Sequence, residues 1–466
     1  MTESTGTGSD MRRDTVQAAA VPLSAPEVEE RSTPWQSTLR WLSLGIDARF
    51  GLGLLLLASL LCRLVNINTP GAPNGYIFDE KYYVNAARVI LGIPVPPPDK
   101  PPPGQPPGSP NPYVVDPAGI DPNHEHPPLG KVMIAASMRV FGDTPFGWRF
   151  PSILMGMLSI LLLYGIVRAA ADDAWLGLLA ATIFSLDNLV LVHSRIATLD
   201  IFLVGFFLLG AWAMLRNWPL LAGMAMALAT LVKLTGIYGL LALLLFQAGL
   251  AFWEWRRTRT WPRISLQTVG WLLVGFVPML LIGLWMLDLA VTTYHTPWEH
   301  LQLMTNYGLS LSRPSGPAGQ ESYPWQWLIN EVQETYFNVY ITTTITGQTP
   351  LTRPDIVFRG AMNPIIIGAF PLGFAYSVWR TWRLKDPLSL WVVAWVAGVY
   401  LPFYPLSMGE HRISYLFYFL PTLPAVSVSL AQLLRQASLP RLVLWGYLAM
   451  VLVGFVGYFP FRHLFL

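Results

Sequence analysis

Apolar runs long enough to cross a bilayer recur along this chain from residue 46 to 461, and such a chain has little choice of solvent. A span needs roughly 20 apolar residues, or somewhat fewer inside a bundle. Runs at 46–66, 148–168, 174–192, 198–215, 219–234, 236–253, 266–288, 363–380, 387–405, 412–434 and 442–461 meet that condition. They predict about eleven transmembrane helices, with the division across Lys233 the least distinct. Only 12% of residues are charged, about half the share of a soluble domain. The expected fold class is therefore an all-α polytopic membrane protein, in which every spanning segment satisfies its own backbone hydrogen bonds. Nineteen Trp and 18 Tyr suit two interfacial aromatic belts. The single Cys62 lies in an apolar run and rules out an internal disulfide framework. The net charge of +3 falls mostly in short loops, so no nucleic-acid partner is expected.

Residues 1–45 are polar and lack an apolar run, which predicts a disordered cytoplasmic tail. No small-residue cleavage site follows the first apolar run, so it reads as a retained helix, and 46–466 as one transmembrane domain. Basic residues cluster after alternate spans, among them Arg256, Arg257, Arg259 and Arg263, then Arg380, Arg383 and Lys385. The positive-inside bias then puts the N-terminus in the cytoplasm and two long segments, 67–147 and 289–360, outside. The first outer segment carries two helical stretches, Asp79 to Leu91 with Gly92 as its stop, and Leu129 to Phe141. Both are amphipathic and are expected along the interface. Between them, Pro94 to Pro112 holds eleven prolines and reads as an extended polyproline stretch.

Ionisable groups at membrane depth are costly and become functional candidates. Lys131, Arg149, Arg195, Lys233 and Arg412 come from distant parts of the chain and fall at outer helix ends or in outer loops. Convergence on a lipid phosphate would explain them; snorkelling to headgroups is the plainer alternative. Asp79 and Glu80 are adjacent and so point about 100° apart on a helix. One can face a substrate as a base while the other braces the fold; Asp79 also stands where a helix cap would. Two prolines after His126 fix its direction. Asp79, Glu80, His124 and Glu125 could supply metal ligands, but no metal-ligand spacing is present, and no cofactor or metal is expected. The chain also lacks a Gly-rich phosphate loop, which argues against a soluble nucleotide-sugar donor. A glycosyl phosphate carried on a lipid leaves as a stable anion. Such a site needs cations and one base, without a general acid.

Phe78-Asp79-Glu80 with Tyr82-Tyr83, followed by His126-Pro127-Pro128-Leu129-Gly130-Lys131, resembles the first outer loop of the dolichyl-phosphate-mannose protein O-mannosyltransferases. Trp148-Arg149-Phe150-Pro151-Ser152, Ser194 to Asp200, Val232 to Gly236, Asn363-Pro364, and Arg412 before Tyr418 to Pro421 are similar as well. The resemblance implies a GT-C-type bundle and an inverting transfer of mannose from a polyprenyl phosphate to Ser or Thr of exported proteins. It implies a first-loop carboxylate base, here Asp79, with Glu80, Glu125 and His126 in support. The segment 289–360 leaves no room for the β-trefoil of eukaryotic members, which suggests a prokaryotic membrane. A related group moves aminoarabinose or other sugars onto lipid acceptors, and a lipid flippase is the competitor from another class.

Overall fold

The computed structural model describes residues 47–97, 111–343, 351–437 and 439–464. The expected tail at 1–45 and the polyproline reading of 98–110 lie outside the described residues. From residue 47 onward the chain forms one compact unit.

The first helix, α1 (Ala48–Leu64), begins at Asp47, whose side chain accepts from the Arg49 N–H. Phe50, Leu54, Leu57 and Leu61 are exposed on it, and their spacing puts them on one helical face. In a bilayer that stripe meets lipid. Next come α2 (Glu80–Leu91), α3 (Leu129–Phe141) and α4 (Pro145–Ala171). They are followed by α5 (Ala174–Ser185), α6 (Asn188–His193), α7 (Asp200–Leu215) and α8 (Pro219–Val232). After a short 3₁₀ turn, Leu234–Gly236, the chain continues as α9 (Ile237–Thr258), α10 (Arg263–Val291), α11 (Pro297–Ser310) and α12 (Pro324–Trp327). Two strands follow, β1 (Glu334–Thr343) and β2 (Leu351–Gly360). The chain ends in α13 (Pro364–Arg383), α14 (Pro387–Val399), α15 (Phe403–Met408), a 3₁₀ segment Leu416–Thr422, α16 (Leu423–Gln436) and α17 (Arg441–Gly457).

Among the described residues five helical stretches are long and apolar enough to cross a membrane: Pro145–Ala171, Leu234–Thr258, Arg263–Val291, Pro387–Met408 and Leu416–Gln436. Four shorter apolar helices join them. α4 and α7 pack together in the centre, where Trp148, Leu163, Phe202 and Leu208 are fully buried. α10 lies at the periphery and exposes Trp271, Val274, Val277, Ile282 and Trp285. That is the distribution expected of a bundle whose outer solvent is hydrocarbon. The protein is an integral membrane protein, and the all-α polytopic class holds.

Two features depart from the expectation. The segment 289–360 closes with an antiparallel hairpin, Glu334 opposite Gly360 and Ile341 opposite Arg353, where no strand is expected from the sequence. And α2 is not an exposed interfacial helix. Eight residues, from Glu80 through Val89, are buried on it, because it packs against α3. Its buried Arg88 stays satisfied in that setting, donating to Asp143 at 2.9 Å and to Asn85 at 2.8 Å.

α8 and α10 approach through glycine. A Cβ added at Gly223 would lie 2.0 Å from the Leu272 carbonyl oxygen, and one at Gly275 would lie 2.2 Å from that of Leu220. Small residues let backbones touch and gain dispersion contact in a medium that offers no hydrophobic drive. Gly223→Leu should therefore force the helices apart and cost at least the 1–3 kcal/mol typical of overpacking. Thermal unfolding in detergent should show a lowered midpoint for it. Gly446→Leu should leave the midpoint unchanged, since a Cβ there meets nothing within 4 Å.

Candidate active site

Asp79 and Glu80 have opposite fates, as adjacent residues on a helix must. The Glu80 carboxylate is fully buried and accepts four hydrogen bonds. Two come from backbone, Ile77 N at 2.8 Å and Ala197 N at 2.9 Å. Two come from the Arg149 guanidinium, both at 2.8 Å, in a bidentate pair. Arg149 spends its remaining donors on the carbonyls of Ile67, Thr69 and Gly75. Asp79 stands at the N-cap position of α2 yet makes no capping bond. Its half-buried carboxylate instead lines a cavity of about 340 Å³. Burial first, and the neighbouring Asp200 carboxylate second, push its pKa up to about 6 against the pull of Lys233 and Lys81.

The same cavity is lined by Glu125, His126, Lys233 and Arg412, and by an aromatic set including Tyr83, Tyr307, Phe417 and Tyr418. Lys233 reaches it because the chain breaks there. α8 ends at Val232, Lys233 is extended (φ −155°, ψ 133°), and the 3₁₀ turn follows. Gly236 allows that turn, since a Cβ there would sit 2.3 Å from the Thr230 nitrogen. Non-helical backbone at membrane depth is tolerated where it lines a cavity. The Lys233 ammonium donates to Asp200 at 2.8 Å and lies 5.0 Å from the centre of the Tyr418 ring. Arg412 donates to the carbonyls of Gly308 and Ile413, and no acidic partner holds it among the described residues. Burial and the cations Lys233, Lys131 and Arg412 drive the His126 pKa well below its ordinary value, so this imidazole is neutral at pH 7.

Three of the five cations expected to converge do not reach the cavity. Lys131 is buried in an ion pair with Asp121 and donates to the carbonyls of Asn123 and His126. It fixes the strand of loop that carries His126. Arg149 is the partner of Glu80. Arg195 donates to the carbonyls of Cys62 and Val65 at the end of α1 and stacks 4.8 Å from the Phe461 ring. Spacing along a sequence cannot tell a cation with internal acceptors from one without.

Glu334 was absent from the expected set and yet lines the cavity. The alternation in Glu334-Thr-Tyr-Phe-Asn-Val-Tyr-Ile-Thr is a strand signal that could have placed it on a ribbon. Nothing in the sequence marks its carboxyl.

Beside the cavity, sharing Glu125 and Tyr307 with it, runs an open groove of about 700 Å³ lined by Glu299, Gln302, Asn306 and Ser310 of α11 and by His124. A tether holds the two long segments together there. The buried His300 on α11 bonds Asp288 at 2.7 Å through Nδ1 and the His124 carbonyl at 2.9 Å through Nε2. Tyr294 stacks on His300, ring centres 4.5 Å apart. Among the described residues no cluster of three potential metal-binding side chains occurs.

The polytopic helical bundle holds a carboxylate and cations in one cavity, and comparison with known structures agrees on the fold. The fold is similar to that in the structure of the S. cerevisiae protein O-mannosyltransferase Pmt1-Pmt2 complex bound to the sugar donor, with a TM-score of 0.62, 12% identity and 91% of each chain covered. It is also similar to ArnT from Cupriavidus metallidurans bound to undecaprenyl phosphate, with a TM-score of 0.52, 17% identity, and 87% of this chain and 63% of that one covered. Residues 125–282 match the family described as dolichyl-phosphate-mannose-protein mannosyltransferase. A polyprenol-phosphate-mannose–protein mannosyltransferase of Corynebacterium glutamicum is 30% identical over 164 residues, 34% of this chain and 28% of that protein. The alignment thus spans little more than a quarter of that relative's length.

Removing one partner of a buried ion pair leaves an uncompensated charge and costs about 3–5 kcal/mol. Arg149→Ala should therefore lose most of its folded yield, read by size-exclusion chromatography in detergent. Asp79→Asn should elute like the unaltered protein. Equal yields for Arg149→Ala and Asp79→Asn would remove Arg149 from its bracing role.

Proposed function

We propose that the protein is an inverting glycosyltransferase that moves mannose from a polyprenyl phosphate to Ser or Thr hydroxyls of exported proteins, at the outer face of a prokaryotic cell membrane. The observation that carries this reading is the Asp79 carboxylate, free of any side-chain cap bond, in one cavity with Lys233 and Arg412. The partial match of residues 125–282 to the mannosyltransferase family supports the donor class. Basic residues in alternate loops support an extracytoplasmic cavity and a cytoplasmic N-terminus.

In this reading the acceptor hydroxyl oxygen attacks the anomeric carbon from the face opposite the phosphate. The new C–O bond forms as the bond from the anomeric carbon to the phosphate oxygen breaks, and that electron pair leaves with the polyprenyl phosphate. The hydroxyl proton passes to Asp79. Arg412 and Lys233 stabilise the charge that gathers on the phosphate. His126, neutral in its cationic surroundings, can accept or donate a hydrogen bond without adding charge. Glu125, at the junction of cavity and groove, is placed to meet the acceptor. The open groove along α11 adjoins the cavity and offers an extended polypeptide a course by which to bring a hydroxyl to Asp79.

The direct assay is transfer from a labelled polyprenyl-phosphate mannose to acceptor peptides, run in parallel with glycolipid acceptors. Peptide transfer supports the reading; glycolipid transfer alone would replace the acceptor; no transfer and no donor hydrolysis would end it. Asp79→Asn should reduce turnover by about 10²–10⁴-fold while donor binding persists. More than a tenth of the original turnover remaining would make Asp79 a structural residue. The elevated pKa gives a second check. A base titrating near pH 6 is lost as protons bind, so kcat/KM should fall about tenfold per pH unit below that point. A flat profile between pH 5 and 7 would contradict Asp79 as the base.

A further inference from the structure

Glu334 opens β1 at the wall of the cavity and is 1% exposed. Its Oε1 has no hydrogen-bond partner. Its sequence neighbours contrast with it. Asn330 is bound on both sides to the backbone of Met362, and Gln333 joins Tyr458 and Arg359. The side chains of Asn330 and Gln333 are thus used inside the fold, whereas that of Glu334 borders the cavity. The Phe78 N–H donates to the Tyr336 carbonyl at 3.3 Å, and the two rings stack 3.9 Å apart. The start of β1 and the segment bearing Asp79 therefore run side by side. An unpartnered buried carboxyl is costly, and such groups in native folds call for an explanation.

We propose that Glu334 is a ligand of the transferred sugar, holding one ring hydroxyl with a neutral carboxyl group and so selecting among epimeric hexoses. This rests on the glycosyltransferase reading above. A neutral carboxyl presents one donor and one acceptor, and a sugar hydroxyl is the same pair in reverse. An epimer with that hydroxyl turned away would leave the buried carboxyl unpaired, the arrangement by which polar sites reject analogues most strongly. The surroundings favour the neutral form: burial, then the Asp79 and Asp200 carboxylates, raise the Glu334 pKa to about 8. With Asp79 near 6, Asp79 and Glu334 are driven apart into one ionised and one protonated group. Of these two, only the ionised one can take the acceptor's proton. Glu334 thus has a binding role and no part in the proton transfer.

The test compares the unaltered protein with Glu334→Ala and Glu334→Gln, using polyprenyl-phosphate mannose and polyprenyl-phosphate glucose with one acceptor peptide. Losing one neutral hydrogen bond is worth roughly tenfold. Glu334→Ala should raise the KM for the preferred donor by about that factor and shrink the ratio of the two kcat/KM values similarly. Glu334→Gln, whose amide also donates and accepts, should recover most of the ratio. The ratio does not depend on how much of each preparation is folded, so lost stability alone cannot move it. An unchanged ratio in Glu334→Ala would overturn the proposal. So would Glu334→Gln as impaired as Glu334→Ala, which would mean that the charge is needed. If the unaltered protein transfers neither sugar, the underlying reading fails instead.

Discussion

The buried pair of Glu80 and Arg149 organises the cavity end of the molecule. Glu80 sits at the start of a helix in the first long segment, Arg149 near the start of α4, and each reaches further into the fold through hydrogen bonds to backbone at Ala197 and at residues 67–75. Two charges taken out of water need this density of partners, since a carboxylate and a guanidinium alone would not offset their lost hydration. The pair fixes the rotation of α2 about its axis. With Glu80 turned inward, the preceding residue must look elsewhere, and Asp79 is left at the cavity without an ion pair among the described residues. An unsatisfied carboxylate is thereby a consequence of a satisfied one.

The charge pattern of the cavity follows from interruptions in helices. Lys233 enters because α8 stops one residue earlier, and Arg412 because α15 and the 3₁₀ segment at 416–422 are separated by irregular chain. A continuous helix would have turned either side chain toward lipid or toward a neighbour. Asp200 tempers Lys233, while Arg412 keeps only carbonyl partners among the described residues.

The membrane-spanning elements were legible because burial in lipid writes itself as uninterrupted apolar sequence. The run read as 266–288 appears as Arg263–Val291, and Leu129–Phe141 appears with the expected bounds. Gly92 stops α2 in the left-handed conformation that its type suggests (φ 70°). Asp79, His126, Lys233 and Arg412 were legible as a set, since ionisable groups in such surroundings need a purpose. Lys131, Arg149 and Arg195 looked identical to them in sequence and differ only in having carbonyls or carboxylates within reach. Those acceptors come from residues far along the chain, as when Arg195 caps the end of α1, and no local pattern announces them. The hairpin escaped notice for a related reason. Its strands alternate, but their pairing is a contact between two runs in a segment otherwise read as loop.

His300 joins the second long segment to the first by holding the carbonyl of His124, the residue before Glu125. Glu125 borders both the groove and the cavity. A sliding of α11 along its axis would consequently drag the partition that the two spaces share. The width of the groove and the mouth of the cavity form one mechanical coordinate. A molecule that wedges either open alters the shape presented to the other.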